Sequence, residues 1–332
     1  MTTIDHPGII TGPWTRAARE EAIARDMRDA YIDYFRKAVK VRNWLPWDDL
    51  PIAEMREYGH LLSQDTIIMI ESYLGIEEYV GDYVEDALNI VRGDRTRRNM
   101  QLVWGLEEAK HAEAWALVLL HSGARTQKQL DSYLEEVGSN RWTMRENHPG
   151  LDSPLGVAVY AMVQERATYF NYDELRKRIR SEYGLTEQAT PEERARGKQI
   201  GAAGAFKTVA NDEIAHHGVF LRMVDIHRRY LPDETYEMIL KVFNGFNMPA
   251  LHLIPNGDRL QETLFRTKLY TPLKHGRSVA NPILDALGLD NKRALERAVQ
   301  QAKLLPYHLG PEHVALSRTG EFVMSVAPDN AD

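Results

Sequence analysis

The 332-residue chain contains no cysteine, which excludes disulfides, thiolate zinc sites and any iron–sulfur cluster ligated by its own thiolates. Redox chemistry here would therefore draw electrons from another protein or a diffusible reductant. No run of about 18 apolar residues occurs, which argues against a membrane-spanning helix. Met1 to Trp14 lacks the charged start and apolar core of a signal peptide, so the expectation is a soluble, cytoplasmic protein. An excess of basic charge is missing too: 41 Lys and Arg against 48 Asp and Glu give a net charge of −7, and nucleic acid is not an expected partner. No glycine-rich turn of the dinucleotide-binding kind follows a strand pattern.

What is present is helical periodicity. With 43% apolar residues the chain can bury a sizeable core, and long periodic stretches joined by modest loops predict an all-α protein. Residues 1–14 are expected to be a flexible N-terminal tail, 15–310 a single domain and 311–332 a C-terminal tail. The spacing predicts a helix from Trp14 to Lys40, a break at Asn43–Ile52 where Pro46 and Pro51 interrupt, and one continuous helix from about Leu61 to Arg92. Further helices are predicted at about Arg98–Ser122, Leu155–Tyr183 and through 201–224, with a polar connection at 123–154 and shorter, proline-broken helices after Asp233.

Four of these helices carry an anomaly. On the stripe Ala202, Phe206, Val209, Glu213, His216, Phe220, Met223, a carboxylate and an imidazole interrupt an otherwise apolar face. Glu108 and His111 repeat the pattern between Trp104 and Trp115. Glu77 stands alone on the stripe of Ile67, Ile70, Leu74 and Val84, whereas Glu71 and Glu78 fall on a more polar side. Glu165 stands alone between Met162 and Thr168. A buried carboxylate is costly unless paired or metal-bound, and only nitrogen and oxygen donors are available, which suit iron, manganese or zinc. Glu, Glu-x-x-His, Glu, Glu-x-x-His is the ligand set of ferritin-like di-metal carboxylate bundles. The expected fold is thus a ferritin-like four-helix bundle with flanking helices, and the expected metal ligands are Glu77, Glu108, His111, Glu165, Glu213 and His216. A third Glu-x-x-His, Glu57 with His60, shares its stripe with Arg56 and Gln64 and reads as a solvated face.

From about Asn43 to Asn256 the sequence resembles the soluble acyl-carrier-protein desaturases. The resemblance lies in Trp44-x-Pro46-x-Asp48-x-Leu50-Pro51, Glu77-Glu78, Glu107-Glu108-x-x-His111, Ser153-Pro154-Leu155-Gly156, Gln164-Glu165-Arg166-Ala167-Thr168, Asp212-Glu213-x-x-His216 and Met248-Pro249-Ala250. Two departures stand out, Ala109-Lys110 and Ile214-Ala215, where family members usually carry Asn-Arg and Lys-Arg. The resemblance implies the same six ligands, two iron ions per subunit with dioxygen as co-substrate, Thr168 on the oxygen-binding side, and supporting roles for Asp212 and Trp44. Asp212 would orient His111, and Glu107 would orient His216.

The activity implied is removal of two hydrogens from adjacent methylenes of an acyl chain on acyl carrier protein, fed by ferredoxin, in a homodimer. An apolar tunnel is then expected, with Met69, Met162, Trp104, Trp115, Phe170 and Phe206 as candidates to line or support it. Carrier docking would use a basic patch, with Lys37, Lys40 and Arg42 or Arg95, Arg97 and Arg98 as candidates. The ligands alone do not separate desaturation from hydroxylation or N-oxygenation on a carrier- or CoA-bound substrate. Iron storage or peroxide scavenging in the ferritin or rubrerythrin manner is the more distant alternative.

Overall fold

The computed structural model describes residues 8–10, 14–304, 314–316 and 322–324. The first helix, Arg16–Lys40, starts where the Thr15 hydroxyl accepts from the Ala18 amide, and it buries Ala22, Ile23, Met27, Ala30 and Tyr34. The proline-rich segment after it is not a plain loop. Pro46 opens a short helix, Pro46–Asp49, and Pro51 precedes Ile52–Tyr58, because proline fits a first helical turn that it could not continue.

The predicted continuous helix over 61–92 is two helices, Gln64–Glu77 and Val80–Ile90. Between them the Ile76 carbonyl accepts both the Tyr79 amide, at 3.3 Å, and the Tyr83 hydroxyl, at 3.0 Å, so the ladder tightens and breaks. Glu71, expected on a polar side, is buried in an ion pair with Arg125 and accepts from Asn256. Helix Arg95–His121 follows, capped by Asp94. The stretch read as a polar connection holds a further helix, Gln127–Val137, opened by a Thr126/Gln129 capping box, and a short one, Met144–Asn147.

Ser153 and Pro154 start helix Pro154–Glu182, and Gly201–Tyr230 is the longest helix of the chain at 30 residues. These two form the most extensive helix pair. Gln64–Glu77 packs on Arg95–His121, and the first helix closes over Arg95–His121 and Gly201–Tyr230. The later helices Pro232–Gly245, Gly257–Thr267, Asn281–Ala286 and Lys292–Ala302 flank this core. Val314–Leu316 and Phe322–Met324 pair as short antiparallel strands inside the segment expected to be a C-terminal tail; the rest of 305–332 lies outside the described residues. Of the expected N-terminal tail, Ile10 is held at both ends: its amide donates to the Arg229 carbonyl and its carbonyl accepts from Arg19. No helix among the described residues is long and apolar enough to cross a membrane.

One buried ion pair holds the connection between the two longest helices, since Glu193, in the segment that joins them, accepts from Arg180 on the first and from the Ile200 amide that precedes the second. Arg180 and Glu193, both with 0% side-chain exposure, meet at 2.6 Å, while Arg180 also donates to the Thr186 and Gln188 carbonyls. Burial alone would raise the Glu193 carboxyl, but Arg180 and the amides of Thr190 and Ile200 hold it down at about 2. Glu193→Ala is expected to cost about 3–5 kcal/mol in denaturant unfolding, because it strands a buried guanidinium. Since the carboxyl is depressed in the fold, its contribution is complete above the ordinary value of 4.5 and disappears as pH falls towards 2; unfolding of wild type and variant should converge over that window.

Candidate metal centre

Helical register delivers six side chains to one level of the bundle. Glu77 is the last residue of its helix, Glu108 and His111 are one turn apart, and Glu213 and His216 repeat that step on the partner helix facing Glu165. All six are 6% exposed or less. They form two groups whose ligand atoms lie within 4.8 Å of one another: Glu77, Glu108, His111 and Glu213, and then Glu108, Glu165, Glu213 and His216. Glu108 and Glu213 belong to both.

The imidazoles are oriented from outside. His111 Nε2 lies 3.4 Å from Asp212 Oδ2, and His216 Nε2 lies 3.3 Å from Glu107 Oε2. A ring proton held there leaves each Nδ1 lone pair facing the carboxylates. His111 Nδ1 is 3.1 Å from Glu108 and 3.2 Å from Glu213, and His216 Nδ1 is 2.8 Å from Glu108. The outer carboxylates are themselves held. Trp44 Nε1 donates to Asp212 at 2.7 Å, the Tyr34 hydroxyl donates to Glu107, Arg42 sits 3.4 Å from both Glu107 oxygens, and Lys110 Nζ lies 3.7 Å from Asp212. Lys110 thus stands beside the Asp212 carboxylate. The two lone glutamates have aromatic partners: the Tyr172 hydroxyl donates to Glu77, and Trp104 Nε1 donates to Glu165 at 2.9 Å.

The electrostatics of this arrangement are severe. Burial, reinforced by the neighbouring Glu108 and Glu213, pushes the Glu77 and Glu165 carboxyls well above the usual range. Burial acts the same way on Glu108, but His111 and His216 hold it well below that range. Both imidazoles are raised despite burial, chiefly by Glu108 together with Glu213 for His111 and with Tyr34 for His216. Protons alone do not complete the polar pairing. Glu108 Oε1, Glu165 Oε2, both Glu213 oxygens and His216 Nδ1 are buried without a hydrogen-bond partner. Orphaned acceptors converging at this density fit cations, and a set of four carboxylates and two imidazoles suits a hard or borderline metal such as iron.

Thr168 donates its hydroxyl to the Gln164 carbonyl at 3.0 Å and lines a cavity of about 10 Å³ with Glu77, Glu108 and Trp104. Tyr83, Trp104 and Gln164 border both this space and a second, apolar one of about 30 Å³ that reaches Val157, Ala161 and Phe220. Of the expected tunnel residues only Trp104 lines these cavities. Met69, Met162, Trp115 and Phe206 are fully buried core, and Phe170 packs on Tyr270 at 6.0 Å. Among the docking candidates, Arg42 and Arg97 turn inward, Arg97 to Asp94 and His227, whereas Lys37, Lys40, Arg95 and Arg98 are exposed. Glu57 and His60 lie at the surface, away from the cluster. Tyr34 and Tyr172 escaped the sequence reading as functional groups, although each lies on an inward stripe, Tyr172 two turns beyond Glu165.

No protein-family model and no curated protein sequence matches this chain. Among solved structures it is similar to DesA2 from Mycobacterium tuberculosis H37Rv, described as a candidate acyl-ACP desaturase: the match covers 84% of this chain and 99% of that one, with a TM-score of 0.52 and 16% identity. The chain has the ferritin-like fold. Its bundle, its cavity beside Thr168 and its buried carboxylate and histidine groups occur together in that frame.

Because Glu108 and Glu213 belong to both groups, Glu108→Ala or Glu213→Ala should abolish loading of about two metal ions, whereas Glu77→Ala or Glu165→Ala should leave about one. Elemental analysis of protein produced with ample iron checks this, and retention of both ions by Glu108→Ala would refute it.

Proposed function

We propose that this protein is a dioxygen-dependent desaturase that introduces a double bond into a fatty acyl chain carried by acyl carrier protein. The observation that carries the reading is that the carboxylate and histidine cluster borders, beside Thr168, a small cavity whose walls Tyr83, Trp104 and Gln164 it shares with a second, apolar cavity, in a fold similar to that of a solved desaturase candidate. Glu77, Glu108, His111, Glu165, Glu213 and His216 would hold two irons, with Glu108 and Glu213 between them. A di-iron pair supplies, when bound, the oxidising power drawn from dioxygen that is needed to take hydrogen from unactivated C–H bonds.

The remaining work belongs to the protein. Asp212 and Glu107 keep the ring protons of His111 and His216 on the outer nitrogens, while Tyr172 and Trp104 orient the two lone glutamates, so the ligand set is organised before substrate arrives. Against burial, His216, Tyr34 and Arg42 hold the Glu107 carboxyl down at about 2, and Lys110 Nζ lies 3.7 Å from Asp212. Thr168 places a hydroxyl, and with it a movable proton, on the cavity side of the cluster. The apolar walls, Trp104, Tyr83, Ala161 and Phe220, exclude water from a site where an oxidant would otherwise attack the wrong bond. Cavities of about 10 and 30 Å³ are far smaller than a ligand pocket of several hundred Å³, so the acyl chain enters by displacing wall side chains.

Electrons come from a ferredoxin or similar one-electron donor, and Lys37, Lys40, Arg95 and Arg98 are the exposed cations that would meet an acidic carrier. A homodimer and a cytoplasmic setting complete the proposal. Light scattering at the monomer mass of 38.0 kDa across micromolar dilution would count against the dimer.

Mass spectrometry of products from acyl-carrier-protein and acyl-CoA substrates, with a ferredoxin system present, tests the reaction. Loss of two hydrogens from the carrier-bound chain is the expected result. Gain of one oxygen would assign a hydroxylase, and equal turnover of CoA esters would remove the carrier. NADPH and oxygen alone should give no product. Association with acyl carrier protein should slow steeply with salt and with charge reversal of Lys37, Lys40, Arg95 and Arg98, while single-turnover chemistry on bound substrate is unchanged.

A further inference from the structure

Most polar groups on the cavity walls already have partners. Around the second cavity the Tyr83 hydroxyl donates to the Ile76 carbonyl at 3.0 Å, the Tyr160 hydroxyl donates to the Asn247 carbonyl at 3.1 Å, and Asp86 accepts from the Met144 amide at 2.8 Å. Three carboxamides and an indole stand apart from this. Gln101 is 4% exposed and lines the second cavity, and its side chain has no hydrogen-bond partner among the described residues. The side chain of Gln164, which borders both cavities, has none among them either. Asn171 Oδ1 beside the cluster and Trp142 Nε1 at the second cavity are buried without a partner. Such groups are rare enough in proteins that several on one pair of cavities call for an explanation.

A saturated hydrocarbon offers these groups nothing. Seated against the walls, it would shut Gln101, Gln164 and Trp142 off from any partner, and each unmet donor or acceptor weakens binding. Water pairs such groups while a site is free, and a methylene that displaces it cannot replace its hydrogen bonds. An anionic group fits no better, because the lining of this cavity holds Asp86 and, among the described residues, no Lys or Arg. The indole N–H can only donate, whereas a carboxamide both donates and accepts. A hydroxyl answers both, accepting from an N–H with a lone pair and giving its proton to a carboxamide oxygen.

We propose that the acyl chain on which this protein acts carries a hydroxyl group, and that Gln101, with Trp142 and Gln164 on the same cavity, selects the chain by that group. This rests on the desaturase reading above and narrows its substrate to hydroxylated acyl chains. Helix geometry sets the place of the group. Gln101 precedes Glu108 by two turns of one helix, about 10 Å along its axis, so the hydroxyl lies several methylenes away from the carbons that react beside the cluster.

The test compares acyl carrier protein loaded with palmitoyl against a set loaded with hydroxypalmitoyl chains, one hydroxyl position each, using the iron-loaded protein and a ferredoxin system. One position is expected to exceed palmitoyl in kcat/KM on the order of a hundredfold, because a site that hydrogen-bonds a substrate hydroxyl discriminates strongly against its absence. Gln101→Leu should lower kcat/KM for that chain and raise it for palmitoyl, whereas a variant damaged in folding would lose both. Trp142→Phe should act in the same direction. Calorimetry of free palmitate and the free hydroxypalmitates, with protein to which no iron has been added, gives a readout independent of turnover: the same hydroxyl position should bind more tightly to wild type and lose that advantage in Gln101→Leu. Palmitoyl used as well as every hydroxylated chain, or a preference that Gln101→Leu leaves unchanged, would overturn this inference while the proposed function stands. Gln101-dependent binding of one hydroxypalmitate without desaturation of any chain would uphold the hydroxyl site and overturn the desaturase reading. Neither binding nor turnover of any chain would overturn both.

Discussion

Four carboxylates and two imidazoles at one level of a dry helical core are the constraint on which the rest of the structure depends. Each anion taken out of water costs several kcal/mol, and their mutual repulsion in the low-dielectric interior adds to it. Only compensating cations or protons make the arrangement stable, and only a rigid surround keeps the side chains from relaxing apart. The surround is visible: Trp115 stacked on Phe206, Trp104 against Phe220, and the two longest helices packed on each other, with the segment that joins them held by Arg180 and Glu193.

Charge is layered outward from that level. Inner carboxylates meet imidazoles, the imidazoles meet Asp212 and Glu107, and those meet Arg42, Lys110, Trp44 and Tyr34. The alternation of sign lets each shell stabilise the one inside it, which is why Arg42 is drawn inward instead of standing free at the surface. The first helix, peripheral in the bundle, thereby contributes to the centre through Tyr34 and the residues just beyond its end.

Much of this was legible in the sequence because a carboxylate on an apolar stripe is a strong signal. Helical period alone put Glu77, Glu108, Glu165 and Glu213 on inward faces, and the structure brings them together with His111 and His216. The all-α, ferritin-like fold was legible for the same reason. What escaped depended on tertiary partners that periodicity does not carry. Glu71 sits on a face that reads as polar and is nevertheless buried, because Arg125 and Asn256 arrive from distant segments. Arg42 and Arg97 count as basic runs in sequence and as inward partners in space. The helix Gln127–Val137 announced itself through Thr126 and Gln129 but was masked by polar composition. Spacing could not sort wall from core among the tunnel candidates, because Met69, Met162, Trp115 and Phe206, which prove to be core, have the same period as the cavity-lining Trp104.

The break after Glu77 divides labour within what would otherwise be one rod. The segment before it ends on Glu77 of the buried cluster, whereas Val80–Ile90 contributes Tyr83, Asp86, Ala87 and Ile90 to the cavity wall. A continuous helix would transmit any shift of the wall, in angle and in register, straight to the glutamate. With the joint at Glu78–Tyr79, wall side chains can be exchanged while Glu77 keeps its place among the buried carboxylates and imidazoles, so the shape of the cavity can drift in evolution without disturbing the charged cluster beside it.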